Sequence, residues 1–542
     1  MPIPVLIVFS WKKRATDIGE EILTKIERAL KTFGIDWSAE STKRSSSMFR
    51  AICIFKPLDY DLKENEKRLE WGLGAATPWT TVEVRSSELL AFLPDTPYYS
   101  CHLYIWRGKD AVVASPWWLP PAIAAVSSEG LLIDDIYVWG KTAWNYSLDY
   151  KTLHASVWRA PLGTMLRVGS NRVEILRGVN YSGILEANAT ELANLLLEGA
   201  KKFLEALMEK EIKEVWVALS GGLDSRTVLG SLLLASEDTD VKVKALTWQG
   251  PGTDPEEVEV AKEVAEKLGV EHHINKRQPD SHERLESILN PFRQVAVVQA
   301  NGTGGDKTLS PLGHIRWSPP KNVNEMAVKL VEGRDYSVAV PPIHKYVCIA
   351  KEAMIRKLRC EAQNPLELYR KYMVEYRLMN WLTSFNRPLV APFLYPPFFS
   401  KSFKINPQNK NYFVLYAKVL EKLDRRLLQV PYYNLGCKLT TKVMFQKVKS
   451  SVFFAWRGLR KLLKGQRGAL VPTDLAWEHT QHIYREFSKR TAPVDHPIYG
   501  KLKNAVEWAL EARPKDARAL SVTRNMLRLL VEMSILNMGI SA

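Results

Sequence analysis

The chain is predicted to be an α/β protein, and three features of its 542 residues carry that prediction. Residues 1 to about 185 hold short β-branched or aromatic runs broken by Pro and Gly: 3-IPVLIVFSW, 51-AICIFKP, 101-CHLYIWRG, 111-AVVASP, 131-LLIDDIYVWG and 172-RVEIL. Such runs read as strands. From Thr190 the apolar residues switch to helical spacing, with Leu192, Leu195, Leu196, Ala200, Phe203 and Leu204 on one face, ahead of the strand-like run 214-EVWVAL. Beyond about Tyr412 the pattern is mostly helical. These features divide the chain into a strand-rich α+β domain over 1–185, a domain of alternating helices and strands over 186–411, and a helical extension over 412–542.

Composition agrees with a chain folded throughout. Hydrophobic residues make up 46% and charged residues 25%, and 17 Trp supply bulk whose burial offsets chain entropy, which excludes extended disorder. Five cysteines, at 53, 101, 348, 360 and 437, form no short pair suited to zinc or a dithiol centre. The opening run Pro2–Trp11 is apolar, but Lys12, Lys13 and Arg14 follow it, whereas a secretory signal carries its charge first. That run reads as a buried first strand. No stretch approaches the roughly 18–20 apolar residues of a spanning helix. A soluble or peripheral protein of the cytoplasm is expected.

The most informative residues are Ser220-Gly221-Gly222-Leu223-Asp224-Ser225, between the run 214-EVWVAL and the helical 226-RTVLGSLLLA. A strand feeding a glycine turn and then a helix aims backbone N–H groups and the helix dipole at one point, where an anion is stabilised. Phosphate suits that point. Gly221 and Gly222 permit close approach, Ser220 and Ser225 add hydroxyl donors, and Asp224 has the chemistry to hold Mg²⁺ on phosphate oxygens. An ordinary turn with Asp224 at a helix start is the simpler alternative.

This SGGLDS segment resembles the pyrophosphate-binding motif of the N-type ATP pyrophosphatases, which implies a doubly wound parallel sheet and cleavage of ATP between its α and β phosphates. Two further segments resemble the asparagine synthetase branch. In 243-VKALTWQGPGTDPEEVEVAKEVAEKLGVEHHI, strand, acidic loop, amphipathic helix and second strand follow in family order, and the resemblance places Trp248 or Thr247 on the adenine. His272 and His273 read as strand-end packing. In 295-VAVVQANGTGGDKTLSPLG a second glycine loop is similar to the family's second phosphate loop. The resemblance puts Asn301 and Gly302 against the α-phosphate and makes Asp306 a second Mg²⁺ ligand beside Asp224. Contacts to the nucleotide are implied for Leu219, Ser220, Gly221, Gly222, Asp224 and Ser225.

Departures accompany the matches. Thr303 stands where synthetases carry a Glu that handles the incoming amine, and Lys307 replaces an acidic residue. The run 391-APFLYPPFF resembles the family's "PFLD" segment with Tyr395 in place of Asp, and 375-EYRLMNWL resembles the helix before it. Family enzymes also use a late lysine to meet charge developing in the transition state; Lys438, Lys442, Lys447 and Lys449 are the candidates.

The first domain resembles the glutamine amidotransferase half of asparagine synthetases, an Ntn-hydrolase-like fold, through 160-APLGTMLRVGSNRVEIL and, more weakly, 146-YSLDYKTLH. That half uses an N-terminal cysteine as nucleophile and base. Here position 2 is Pro and Ser10 lies too far along to replace it, so loss of glutaminase activity is expected.

The net charge is +16, and residues 425–473 contain eleven Lys or Arg and no acid. Phe445, Val448, Val452, Trp456, Leu459 and Leu463 fall on one helical stripe there, with Lys442, Lys449, Arg457, Arg460, Lys461 and Lys464 beside or opposite it. Such a basic amphipathic helix suits an anionic membrane surface, nucleic acid, or packing on its own protein. The leading expectation is an ATP- and Mg²⁺-dependent ligase that activates a small-molecule or glycan-linked carboxylate as an acyl-adenylate and joins it to ammonia or an amine. An RNA-modifying enzyme is the alternative, opposed by the lack of Cys pairs and of a recognisable RNA-binding module. A silent ATP-binding protein is the third. The oligomeric state is not legible.

Overall fold

The computed structural model describes residues 5–541 apart from 11–14, 33–41, 46–48, 54–60, 65–67, 73–79, 86–87, 98–101, 145–149, 170–172, 177, 250–252, 277–297, 311–317, 319, 333–338, 383–388, 443, 447, 450, 453–473 and 492–493. Among the described residues, the strands before Leu176 are β1 (Val5–Ser10), β2 (Thr42–Ser45), β3 (Phe49–Cys53), β4 (Asp61–Glu64), β5 (Arg68–Gly72), β6 (Thr80–Arg85), β7 (Glu88–Phe92), β8 (Tyr104–Arg107), β9 (Ala111–Ser115), β10 (Val157–Arg159), β11 (Met165–Gly169) and β12 (Val173–Ile175). They form two six-stranded sheets, ordered β10-β8-β9-β1-β3-β2 and β12-β11-β7-β6-β5-β4, and every pairing in them is antiparallel.

The alternation of strand side chains explains the layering. Ile7, fully buried on β1, shares one apolar cluster with Val82, Leu89, Ala91 and Leu166 of the second sheet. Its neighbour Val8 points the other way, into a cluster with Ile22 and Ile26 of the helix Ala15–Thr32 and Ile123 of the helix Leu119–Glu129. Within the opening run, Val5–Ser10 is thus a central strand of its sheet with Ile7 and Val8 buried, as the composition predicts. One run is corrected: 131-LLIDDIYVWG, grouped above with the strands, is largely the helix Asp135–Trp144. Asp134 sets its start by accepting the Tyr137 N–H at Oδ1 (2.8 Å). Such local capping decides between helix and strand in an apolar run too short for its periodicity to do so.

The next sheet is parallel. Its strands are β13 (Glu214–Ala218), β14 (Lys242–Trp248), β15 (His272–Asn275), β16 (Val298–Ala300) and β17 (Leu389–Val390), ordered β15-β14-β13-β16-β17. Described helices precede and separate several of them. Ala189–Met208 begins where Asn188 Oδ1 accepts the Glu191 N–H (3.1 Å) and buries Leu192, Leu196, Ala200, Phe203 and Leu204. Pro255–Leu268 has Pro in its first turn, an Asp254 cap, and Gly269 in the left-handed region (φ 70°) at its end, which are sequence signals for both boundaries. Strand order reverses between β13 and β16, the place where open sheets of this kind leave a crevice at the carboxyl ends of their strands.

The C-terminal helices Asp474–Arg490, Pro497–Ala512 and Ala517–Ser541 are no appendage. Val522, Met526 and Leu530 lie in the same apolar cluster as Val8, Ile123 and Trp139 of the N-terminal region and Val347 of the helix Pro341–Arg359. The halves also interlock through the π-helical turn Tyr372–Leu378. Its Glu375 carboxylate accepts the Leu162 N–H (3.1 Å) and the Tyr181 hydroxyl (2.8 Å), and its carbonyl accepts the Arg159 guanidinium. Burial raises the Glu375 pKa, against the pull of Arg159.

Of the basic amphipathic stretch, Met444, Phe445, Val448 and Val452 are exposed. Trp456, Leu459, Leu463 and the basic residues Lys447, Arg457, Arg460, Lys461 and Lys464 lie outside the described residues, as does Pro2.

Candidate functional site

The site is built where β13 and β16 end side by side. After β13 the chain turns at Ser220-Gly221-Gly222 and enters the helix Leu223–Ser236 with Gly222 at its cap. The turn is held from within: the Ser220 N–H donates to Ser225 Oγ (3.0 Å), the Gly222 N–H to Ser220 Oγ (3.1 Å), and the Ser225 hydroxyl to the Ser220 carbonyl (3.2 Å). Gly221 has no room for a side chain, since a Cβ there would stand 2.7 Å from Tyr433 Cβ.

Arg226, 1% exposed, ties this turn to a distant segment. Its guanidinium donates to the carbonyls of Gly221 (3.1 Å), Gly222 (3.2 Å), Leu427 (3.3 Å), Val430 (3.0 Å) and Pro431 (2.8 Å). Burial lowers its pKa to about 10. Arg226 therefore has a structural role, fixing the turn against residues 427–431.

The second loop, Asn301 to the short helix Gly305–Thr308, packs directly on the first. A Cβ at Gly302 would lie 2.4 Å from Asp224 Cβ, and one at Gly305 would lie 2.6 Å from Asp224 Cγ. Only glycine permits this approach. Phe393 and Leu394, in the segment with Tyr395 where the family has Asp, support the loop from below; Leu394 Cδ2 would meet a Cβ at Gly304 at 2.7 Å. Tyr395 itself turns away and donates to Glu198 (2.7 Å).

Burial sorts the loop residues into two groups. Ser220, Gly222, Asp224, Asn301, Gly302 and Asp306 are partly exposed, whereas Leu219, Gly221, Ser225, Thr303 and Lys307 are buried. The Thr303 N–H donates to Asn301 Oδ1 (2.9 Å), and the Thr303 hydroxyl bonds the same oxygen. A backbone N–H must meet an oxygen, so this contact fixes the amide assignment and leaves Nδ2 as the Asn301 side-chain donor. Thr303 acts here through Asn301.

Asp224 is the electrostatic centre. The Tyr416 hydroxyl donates to its Oδ1 (2.7 Å). Its carboxyl is pushed up to about 7, first by burial and then by the charge of Asp306, with Tyr416 and Lys307 acting in the opposite direction. Two hard oxygen donors that repel one another fit Mg²⁺, which takes one or two carboxylates and completes its shell with water and phosphate oxygens. Among the described residues there is no cluster of three or more His, Cys, Asp or Glu that would make a dedicated cage.

Near the carboxyl end of β14, Thr247 is buried, donating to the Leu219 carbonyl (2.9 Å) and bonded to His272 Nε2 (2.8 Å). Trp248 is 41% exposed at the end of β14. Of the two adenine candidates, Trp248 is therefore the one that presents a surface. His273 bonds Glu271. Among the late lysines, Lys449 donates to the Lys438 carbonyl (3.4 Å), Lys442 lies over the Phe445 ring, and Lys447 lies outside the described residues.

Residues 206–292 match the family model for asparagine synthase. The chain contains an asparagine synthase domain. The match covers the first glycine loop, β14 and β15, and stops before the second loop, which is joined to the asparagine synthase segment by the contacts on Asp224. No curated protein matches the chain. The match supports an ATP-dependent ligase-type enzyme. Sequence reasoning missed Tyr416, which lies 192 residues from Asp224 in a helix with no motif, and Tyr433, whose hydroxyl donates to Asp254 (2.7 Å) beside Gly221.

Proposed function

We propose that the asparagine synthase domain activates a substrate carboxylate as an acyl-adenylate, releases pyrophosphate, and passes the acyl group to ammonia or an amine. The observation that carries this reading is the contact between the two loops, with Gly302 and Gly305 closed onto Asp224 and Asp306 alongside it. In this reading the Ser220–Gly222 turn and the N-terminus of the helix Leu223–Ser236 receive the β and γ phosphates. Asn301 Nδ2 and the Gly302 backbone meet the α-phosphate, and Trp248 covers the adenine. Asp224 and Asp306 hold Mg²⁺, which when bound neutralises phosphate charge. A carboxylate oxygen attacks the α-phosphorus, the bond to the bridging oxygen breaks, and pyrophosphate leaves; the amine then attacks the acyl carbon, AMP leaves, and the amine proton is lost to solvent or base.

The experiment is a pyrophosphate-release screen over small and glycan-linked carboxylates with ammonia present. Asp224→Ala and Asp306→Ala are expected to abolish release without loss of fold. Full release in both variants removes this site from consideration.

The exposed Met444, Phe445, Val448 and Val452 favour a peripheral contact with anionic lipid as an additional role of the basic stretch. No helix among the described residues is long and apolar enough to cross a membrane. Co-sedimentation with anionic but not neutral vesicles, weakened by salt yet retaining a resistant fraction, is expected. Absence of sedimentation at low salt, or tight RNA binding instead, overturns this role.

A further inference from the structure

The second glycine loop contains a cation that the first does not. Lys307, its side chain 8% exposed, is ion-paired with Asp306 Oδ2. The other charged groups that face it are Asp224 and Arg377. Four ionisable groups thus face one another under the loops, two carboxylates, the Lys307 ammonium and the Arg377 guanidinium. Asp306 reaches the surface, 38% exposed, while its partner sits behind it.

This arrangement changes what a divalent ion meets. A bare pair of carboxylates presents two negative charges and attracts a metal by itself. With the Lys307 ammonium fixed on one of them and Arg377 facing that ammonium, the approaching ion meets much less negative charge, and it approaches a carboxylate already engaged by a cation. The missing attraction has to come from somewhere else, and a polyphosphate chain supplies it, because magnesium with few protein carboxylates is bound largely through substrate phosphates.

Resting on the nucleotide reading above, we propose that Lys307 is a built-in counter-ion that prevents the Asp224–Asp306 pair from retaining a divalent cation alone, so that metal enters only together with the nucleotide. Lys307 is a positioning residue in this scheme. It acts through Asp306 and takes no part in bond making.

The test uses Mn²⁺ as the metal probe, with the full chain and its Lys307→Gln and Lys307→Arg variants, and reads the free-ion signal by electron paramagnetic resonance. α,β-Methylene-ATP, which resists cleavage at the relevant bond, serves as nucleotide. Wild type is expected to leave the Mn²⁺ signal unchanged alone and to bind the ion with the analogue. Lys307→Gln is expected to take up Mn²⁺ without nucleotide, about tenfold or more tightly than wild type. Lys307→Arg keeps the charge and is expected to remain nucleotide-dependent. Adding Asp306→Asn to Lys307→Gln is expected to abolish the uptake, which places it at this site.

Nucleotide-free binding by wild type as tight as that of Lys307→Gln overturns the counter-ion role while leaving the nucleotide site intact. Failure of wild type to bind Mn²⁺ even with the analogue overturns the nucleotide reading instead. If Lys307→Gln does not fold, the wild-type arms decide: uptake without nucleotide overturns the role, and uptake only with the analogue supports it.

Discussion

The Tyr416 hydroxyl donates a 2.7 Å hydrogen bond to Asp224 Oδ1 and so joins the helix Val414–Leu423 to the first glycine loop. The bond favours the ionised carboxylate, opposing the burial and the Asp306 charge that push the group up to about 7. Tyr416→Phe is expected to raise that value further. A hydrogen bond to a charged group contributes about 1.5–3 kcal/mol, so Mg-ATP binding near neutral pH is expected to weaken by roughly one to two orders of magnitude. The loss should diminish as pH rises and Asp224 ionises. Calorimetric titration at two pH values measures it; unchanged affinity at both means that the bond does not tune the site.

Gly302 tests the closeness of the loops. An alanine Cβ would stand 2.4 Å from Asp224 Cβ and 2.9 Å from the Ser225 nitrogen, and backbone on that side cannot rotate away as a side chain does. Gly302→Ala is expected to separate the loops and abolish nucleotide binding, at a stability cost of about 1–3 kcal/mol. Fluorescent ATP analogue binding and thermal melting report the two effects separately.

Arg226 donates to five buried or partly buried backbone carbonyls. Arg226→Met keeps much of the volume but leaves those acceptors without their donor, and about 2–4 kcal/mol of destabilisation is expected. Lysine donates from a single nitrogen and cannot span acceptors met by three, so Arg226→Lys should recover little. Denaturant titration gives the comparison.

Lys410 supplies a pH-dependent prediction. It is 2% exposed, its ammonium donates to the Ser402 carbonyl (2.9 Å), and burial followed by the charge of Arg370 lowers its pKa to about 7. The unfolded chain therefore holds this proton up to about 10.5 while the folded chain releases it near 7, and between these values the unfolded state binds more protons. Stability contributed by this group thus rises with pH across that window. Lys410→Met is expected to flatten the slope and to stabilise the protein below pH 7 by a few kcal/mol, about 1.4 kcal/mol per pKa unit removed. Melting curves between pH 6 and 10 test the sign.

Much of the parallel-sheet region was legible because local signals agree there. The Ser220–Ser225 turn, the Asp254 cap and the Gly269 terminator mark boundaries that the structure keeps. The pairing of the two loops was legible only as a resemblance, since nothing in Asn301–Lys307 states that Gly302 must touch Asp224. Tyr416 and Arg226 escaped for a common reason: their partners lie about two hundred residues away, and sequence spacing contains no term for contacts at that range. Thr303 was legible only as a departure from the family Glu; that its hydroxyl and N–H both engage Asn301 is a contact the sequence does not announce. The run 131-LLIDDIYVWG failed because a single Asp cap outweighs β-branched composition over so few residues.

Glu375 has an implication for how such a chain is inherited. Its carboxylate is the acceptor for both Leu162 and Tyr181, and the Trp144 indole N–H likewise reaches across to the Val331 carbonyl (2.9 Å). Neither half could be traded for a homologous one without also replacing the surface that receives it. Genetic recombination between diverged relatives at the exposed Ile184–Leu185 junction would seal the reading frame but leave a buried carboxylate facing strangers. The two halves are therefore expected to travel together through descent, and to accumulate matched changes at 159–162, 181 and 375 rather than independent ones.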